Sequence, residues 1–312
     1  MTDHPHLDSV IAEAIGLGAV PVAVAYPCSI ATIEAALAAQ QLGLIEPVLV
    51  GPRKRIESIA GEKGIDLARV TWIDCGEDPS EAAAAAAACA ACRDGTAQLI
   101  MKGSLHTDQL LSAVGRDRGL RTARRPSHAF MFDLPAYPKP LLMADCVVNI
   151  SPGLMEKRDI AQNAIDLAHV LGIARPYVGI LSAVETINPA IPGTIEAAAL
   201  SKMADRGQIT GALVDGPLAF DVAISIEAAR TKGLTSLAAD RPDILIVPNL
   251  EAGNMLYKLL VYLAQAECAG IVLGTRVPII LTSRADSEKC RVASCALAVL
   301  QSRASPLARH AA

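Results

Sequence analysis

Short apolar, β-branched runs alternate with longer helical stretches through most of this chain, and that alternation limits the possible folds more than any other feature. "AVPVAVAYP" (19–27) reads as a buried strand, followed by a helix from Ser29, a good N-cap residue, to Leu42. "EPVLVGP" (46–52) is the next strand and "RKRIESIAGEKG" the next helix. "RVTWID" (69–74) follows, then an Ala-rich helix introduced by Asp78-Pro79-Ser80, then "AQLIMKG" (97–103). Strand and helix in turn at this spacing imply right-handed crossovers and a mainly parallel sheet.

A Pro-rich stretch, "FDLPAYPKPLLMADCVVNISPG" (132–153), interrupts the rhythm and is the best candidate for a crossing between domains. The alternation then resumes, with helices at 156–171, 192–205, 219–231 and 251–266. Strands are expected at 176–183, 209–217, 243–250, 270–275 and 278–281. A last helix, 286–302, returns to the first domain. The expected division is 1–140 plus 278–312 for one α/β domain and 141–277 for the other.

Composition agrees with such a fold. Hydrophobic residues make up 52% of the 312 and aromatics only 3%, which suits helices packed on a parallel sheet better than an aromatic-rich β sandwich. With a net charge of −4, no global basic field calls for nucleic acid, so clusters of arginine must be read as local sites. The start, "MTDHPHLDSV", lacks the basic and apolar regions of a secretory signal. The longest uncharged stretch is interrupted by Pro21 and Pro27, so it makes a poor membrane span. The 8 cysteines then read as reduced thiols of a cytoplasmic protein. Cys89 and Cys92 stand at CxxC spacing, but on an Ala-rich helix without further ligands, so they read as packing residues rather than a zinc site.

In open α/β sheets ligands lie beyond the carboxyl ends of the strands, and polar residues crowd those junctions here. "MKGSLHTD" supplies Lys102, Ser104, His106 and Thr107, "VDGPLAFD" supplies Asp215, and "PNLEAGNMLYK" supplies Asn254. "PIILTSRADS" carries Ser283 and Arg284 straight after an apolar run. Each has a plainer reading as a helix cap, a structural histidine, a turn or a helix start. Ser283-Arg284 resists it most, because an arginine at a buried strand end needs a carboxylate or phosphate partner. "RTARRPS" adds Arg121, Arg124 and Arg125, which form a surface run or one side of an anion clamp. No GxxxxGK[ST], no GxGxxG after a first strand, no GxSxG and no HExxH is present, which weakens nucleotide hydrolysis, dinucleotide chemistry and serine hydrolysis.

The segments "MKGSLHT", "VVNISP", "LSAVE", "DGPLAFDVAIS", "PNLEAGNMLYK" and "PIILTSRADS" resemble, in this order, the phosphate acetyltransferase and phosphate butyryltransferase family. The likeness also extends to the transferase half of enoyl-CoA hydratase fusions. It implies exchange of a short acyl group between coenzyme A and phosphate, which are substrates, with no metal or other cofactor. It further implies a two-domain fold like isocitrate and isopropylmalate dehydrogenases, an interdomain cleft as the active site, and a homodimer. On that resemblance Ser283 and Arg284 are the catalytic pair. Lys102, Ser104, His106, Thr107, Arg125, Asp215 and Asn254 are the expected substrate-binding residues. The chain departs from the acetyl branch at Leu111, where that branch has an arginine, and at Cys290, where it has an aspartate proposed as a base for the CoA thiol. Both departures leave the acyl chain length open. Two rival readings remain: a metal-dependent dehydrogenase of the same fold, and a non-catalytic acyl-CoA-binding protein.

Overall fold

The computed structural model describes residues 4–236, 241–282 and 286–304. The chain divides into two compact units, one of residues 7–123 and 269–312, the other of 1–6 and 124–268.

The first unit opens with α1 (Pro5–Gly16), whose first residues belong to the other unit, and continues with β1 (Val20–Ala25), α2 (Ile30–Gln41), β2 (Ile45–Gly51) and α3 (Arg53–Gly61). There follow β3 (Thr71–Asp74), α4 (Glu81–Arg93), β4 (Leu99–Lys102) and α5 (Thr107–Arg116). β1 pairs with β2 and β4, and β2 with β3, all parallel, as crossover helices dictate. α4 is nearly all alanine, the best helix former, and the Ser80 hydroxyl caps it by accepting from the Ala83 N–H at 3.1 Å.

The second unit holds β5 (Ser127–Asp133), β6 (Leu141–Ala144), α6 (Leu154–Val170), β7 (Tyr177–Leu181), α7 (Pro192–Asp205) and β8 (Leu213–Leu218). It continues with α8 (Phe220–Ile224), α9 (Ile226–Thr231), β9 (Ile244–Ile246) and α10 (Leu250–Tyr262). Its strands lie in the order β5-β6-β9-β7-β8, parallel except for the β5–β6 hairpin. His4 and His6 join this unit through Asp133, whose carbonyl lies 3.1 Å from His4 Nδ1 and whose carboxylate accepts from the His6 N–H at 2.7 Å.

The chain then re-enters the first unit through β10 (Glu267–Leu273), β11 (Ile279–Ile280) and α11 (Glu288–Ala304). β11 runs antiparallel to β10 and parallel to β4. α11 is buried along most of its length, as its apolar composition demands.

The unit boundaries, near 124 and 268, depart from the expected 140 and 277. The Pro-rich stretch turns out to be a hairpin loop, because β5 pairs with β6 and keeps 124–140 in the second unit. β10 pairs with β11 and so carries 269–277 into the first. The mixed α/β class stands, with each unit built on its own parallel-rich group of strands.

Candidate functional site

In the first unit β1, β4 and β11 lie side by side and parallel, so their carboxyl ends emerge together. The close fit there depends on Gly103. Its N–H donates to the Ala25 carbonyl at 2.9 Å, and the next N–H, of Ser104, donates to the Tyr26 carbonyl at 2.9 Å. A Cβ on Gly103 would fall 2.2 Å from the Ala25 oxygen, an impossible contact. The glycine of "MKGSLHT" is therefore demanded by backbone approach, and it fixes where Lys102 and Ser104 project.

Beyond these ends lies a pocket of about 30 Å³ with Ser29, Thr32, Lys102, Thr282 and Arg291 in its wall. Among the described residues that wall holds two cations, three hydroxyls and no carboxylate, a lining suited to an anion. Ser29 and Thr32 share a hydroxyl–hydroxyl bond of 2.9 Å, while Lys102 Nζ donates to the Gly103 carbonyl at 3.3 Å. Arg291 Nη1 reaches the Ala31 carbonyl at 3.4 Å, which holds that guanidinium against the start of α2.

Ser283 and Arg284 lie outside the described residues. They follow Thr282, itself part of the pocket wall. Cys290 sits in the first turn of α11, only 4% exposed. Its N–H donates to Ser287 Oγ at 3.1 Å, and its carbonyl accepts from Ser294 Oγ at 2.7 Å. His106 is the exposed N-cap of α5; its ring makes no capping bond, and its N–H donates to Glu81 Oε2 at 2.8 Å. Thr107 is the first residue of that helix.

In the second unit Arg125 is held from three sides. Its N–H donates to Asp159 Oδ2 at 2.9 Å, its side-chain Nε donates to Asn149 Oδ1 at 2.7 Å, and Nη1 lies 3.4 Å from Glu156 Oε1. About half of the side chain is nevertheless exposed (51%). The other members of the arginine cluster differ. Arg124 pairs with Asp166 on α6, and Arg121 belongs to the first unit, where its backbone bridges to Thr275.

Asn254 stands on α10, whose first turn packs tightly beyond β6. A Cβ on Gly253 would meet Asp145 O at 3.0 Å and Val247 Cγ2 at 2.8 Å, so "EAGN" also encodes a close approach. Asp215 is elsewhere in this unit. It lies on β8, the outer strand, three strands from β6, or about 14 Å at ordinary strand spacing. Its Oδ1 accepts from the Gly216 N–H at 2.8 Å. The second unit therefore does not bring Asp215 to Arg125.

A metal-dependent dehydrogenase would need several aspartates gathered around a cation, and the second unit offers Asp215 and Asp221 near one another in sequence. Asp221 pairs with Lys232 at 2.9 Å, and that hydrogen-bonded ammonium holds its carboxyl below the usual range. Among the described residues no group of three or more His, Cys, Asp or Glu is placed to hold a metal.

Three residues of these surroundings were not picked out from the sequence. Arg291 carried no strand-end signal, because it reaches the pocket from a helix. Asn149 stood in the quoted "VVNISP", and Asp145 lies just before it. Their significance depends on a fold-back after β6 that periodicity does not reveal.

A family model described as "Phosphate acetyl/butaryl transferase" matches residues 79–299. A phosphate acetyltransferase of Rhizobium meliloti is 51% identical over 294 residues, spanning 94% of this chain and 92% of that protein. A phosphate butyryltransferase of Clostridium acetobutylicum is 42% identical over 280 residues, spanning 89% of this chain and 92% of that one. Among solved structures, a branched-chain phosphotransacylase from Enterococcus faecalis V583 superposes with a TM-score of 0.78 at 30% identity, covering 91% of this chain and 99% of the other.

Proposed function

The chain belongs to the phosphate acetyl/butyryl transferase family, and from that premise we propose how its residues divide the work of moving a short acyl group between coenzyme A and inorganic phosphate. It is an acyltransferase: acyl-CoA and phosphate give acyl phosphate and CoA. The observation that supports an anion site in the first unit is its strand-end pocket, which has Lys102 and Arg291 in its wall and, among the described residues, no carboxylate.

The chemistry asks mainly for positioning and charge. A phosphate oxygen attacks the thioester carbon, the tetrahedral oxyanion collapses, the C–S bond breaks, and the CoA sulfur leaves with the electron pair and takes up a proton. Holding both reactants together supplies roughly 7–11 kcal/mol of the barrier. Donors aimed at the developing oxyanion contribute about 3 kcal/mol each. In this proposal Arg284 binds the phosphate or acyl-phosphate oxygens and Ser283 hydrogen-bonds near the thioester. Lys102, Ser104, His106 and Thr107 are the substrate-binding residues of the first unit, and Arg125 and Asn254 are those of the second. Asp215, on the outer strand, is the least supported of the set. No metal takes part.

The likeness to isocitrate and isopropylmalate dehydrogenases belongs to the same proposal and rests on the sequence resemblance. So does the homodimer. Its support is one face of α10, where Met255, Leu259 and Tyr262 stand exposed at helical spacing, with Leu263 beside them at 79% exposure. A second copy of this chain covers that stripe.

The test is release of CoA thiol from acetyl-, propionyl- and butyryl-CoA, with and without phosphate, in excess EDTA. Phosphate-dependent release from one of the three is expected, and the preferred one names the acyl group. Activity lost on chelation and restored by magnesium, or NAD reduction in place of thiol release, would return the chain to the dehydrogenase reading. Binding of acyl-CoA without release would leave a silent binding protein.

A further inference from the structure

We propose that Asp145 and Asn149 are positioning residues that set the guanidinium of Arg125 for a phosphate-type anion, a step that rests on the reading of Arg125 as a substrate-binding residue. The chain folds back after β6, and Asp145 organises the turn. Its Oδ1 accepts the N–H groups of Val147 and Val148 at 2.9 and 3.0 Å, and its Oδ2 accepts the N–H of Asn149 at 3.2 Å. It is 2% exposed, and burying a carboxylate is tolerable only because those donors and one more satisfy it.

That further donor is the Asn149 amide. Asn149 Nδ2 donates to Asp145 Oδ2 at 2.6 Å and to the Pro126 carbonyl at 2.9 Å. Both amide protons are thereby committed, which leaves the carbonyl oxygen facing one direction only. Along it stands Arg125 Nε, at 2.7 Å. Asn149 is 3% exposed, so the accepting end of the bond is shielded from solvent.

A chain of bonds thus runs from a buried carboxylate through a buried amide to a half-exposed guanidinium. It is a poor arrangement for stability alone, because a buried polar relay rarely outperforms an apolar core. It is a good one for holding a long flexible side chain in one orientation. Asp145 meets Arg125 through a neutral amide rather than as a direct ion pair. The guanidinium does pair with Glu156, whose Oε1 lies 3.4 Å from Nη1, but both side chains are partly exposed (51% and 38%) and solvent weakens that pair, so an entering anion can displace it. The anion is a phosphate group, carried either by inorganic phosphate or by coenzyme A.

The test is a cycle of Asn149→Ala, Arg125→Ala and the double variant, with KM for phosphate, KM for acyl-CoA and kcat measured for each. Asn149→Ser gives the same comparison if the alanine variant fails to fold. Asn149→Ala is expected to raise one of the two KM values about tenfold, the range for one hydrogen bond to a charged group, with little change in kcat. Arg125→Ala should raise the same KM further, and the double variant should be no worse than Arg125→Ala. A rise in KM for phosphate places inorganic phosphate at Arg125, and a rise for acyl-CoA places the CoA phosphates there. If Arg125→Ala changes a KM and Asn149→Ala does not, the positioning role is wrong while the reading of Arg125 stands. If Arg125→Ala changes neither KM, that reading fails and the relay with it. A uniform loss in kcat and both KM values on Asn149→Ala would mark a folding role only and overturn the proposal.

Discussion

Arg53 shows what an ordinary surface arginine does in this protein. Its Nε pairs with Glu57 at 2.7 Å in exposed surroundings, and its guanidinium lies 5.0 Å from the centre of the half-buried Trp72 ring. Such a pair contributes under about 1 kcal/mol, so Arg53→Ala should leave turnover unchanged. Arg284→Ala should lose about 3–4 kcal/mol of transition-state stabilisation, several hundred-fold in kcat/KM, if it meets developing charge in a dry site. Arg284→Lys should also fall short, because an ammonium lacks the two-pronged donor geometry. Steady-state kinetics of the three variants decide it, and near-normal rates in both Arg284 variants would sink the assignment. Cys290 is the second residue to test. Buried among the apolar residues of α11, it reads as packing, so Cys290→Ala should keep substantial activity. A variant without turnover, together with an acylated wild-type protein in mass spectrometry after exposure to acyl-CoA, would make it a nucleophile instead. At this scale the sequence displayed glycines, arginines and strand-end hydroxyls well. It did not display Asn149's role, because an asparagine in a loop looks the same whether its amide faces water or a buried carboxylate.

The elements follow the apolar runs closely where one crossover follows another, as from β1 to β4. They depart where a local signal competes. The expected helix 219–231 is two helices, broken at Ser225, whose backbone is extended and whose hydroxyl caps α9 by accepting from Ala228 N–H at 3.2 Å. β5 was hidden because it is buried at every position and so lacks alternation, and because prolines crowd the loop after it. Helix burial also has a consequence for pH. Burial pushes the thiols of Cys89 and Cys92 on α4 and Cys295 on α11 up to about 12, with Asp117 adding to the shift at Cys89. An unfolded thiol ionises near 9.0. Below that pH both states keep the proton and stability is complete. Above it the unfolded chain sheds protons that the folded chain retains, so stability falls as pH rises toward 12. Urea midpoints under reducing conditions should therefore drop between pH 8 and pH 10.5, and the drop should shrink in Cys295→Ala. An equal drop in that variant would show that Cys295 is not a source.

For the molecule as a whole, a net charge of −4 offers no general attraction to anionic substrates, so in the proposed function the attraction comes from local cations such as Lys102 and Arg125. Among the described residues no helix is long and apolar enough to cross a membrane, and α10 carries an exposed apolar stripe. If a second copy covers it, light scattering should give twice the chain mass of 32.5 kDa, and Leu259→Arg should shift the protein toward monomer. A monomeric wild type at micromolar concentration would remove the dimer from the account. In the proposed reaction the acyl group passes from sulfur to phosphate and to nothing else. Phosphorus NMR of the protein with its preferred acyl-CoA, inorganic phosphate and excess EDTA tests that claim directly. Acyl phosphate should appear in step with free CoA, one for one. Release of CoA with no acyl phosphate formed would mean that water, not phosphate, is the acceptor, and would contradict it.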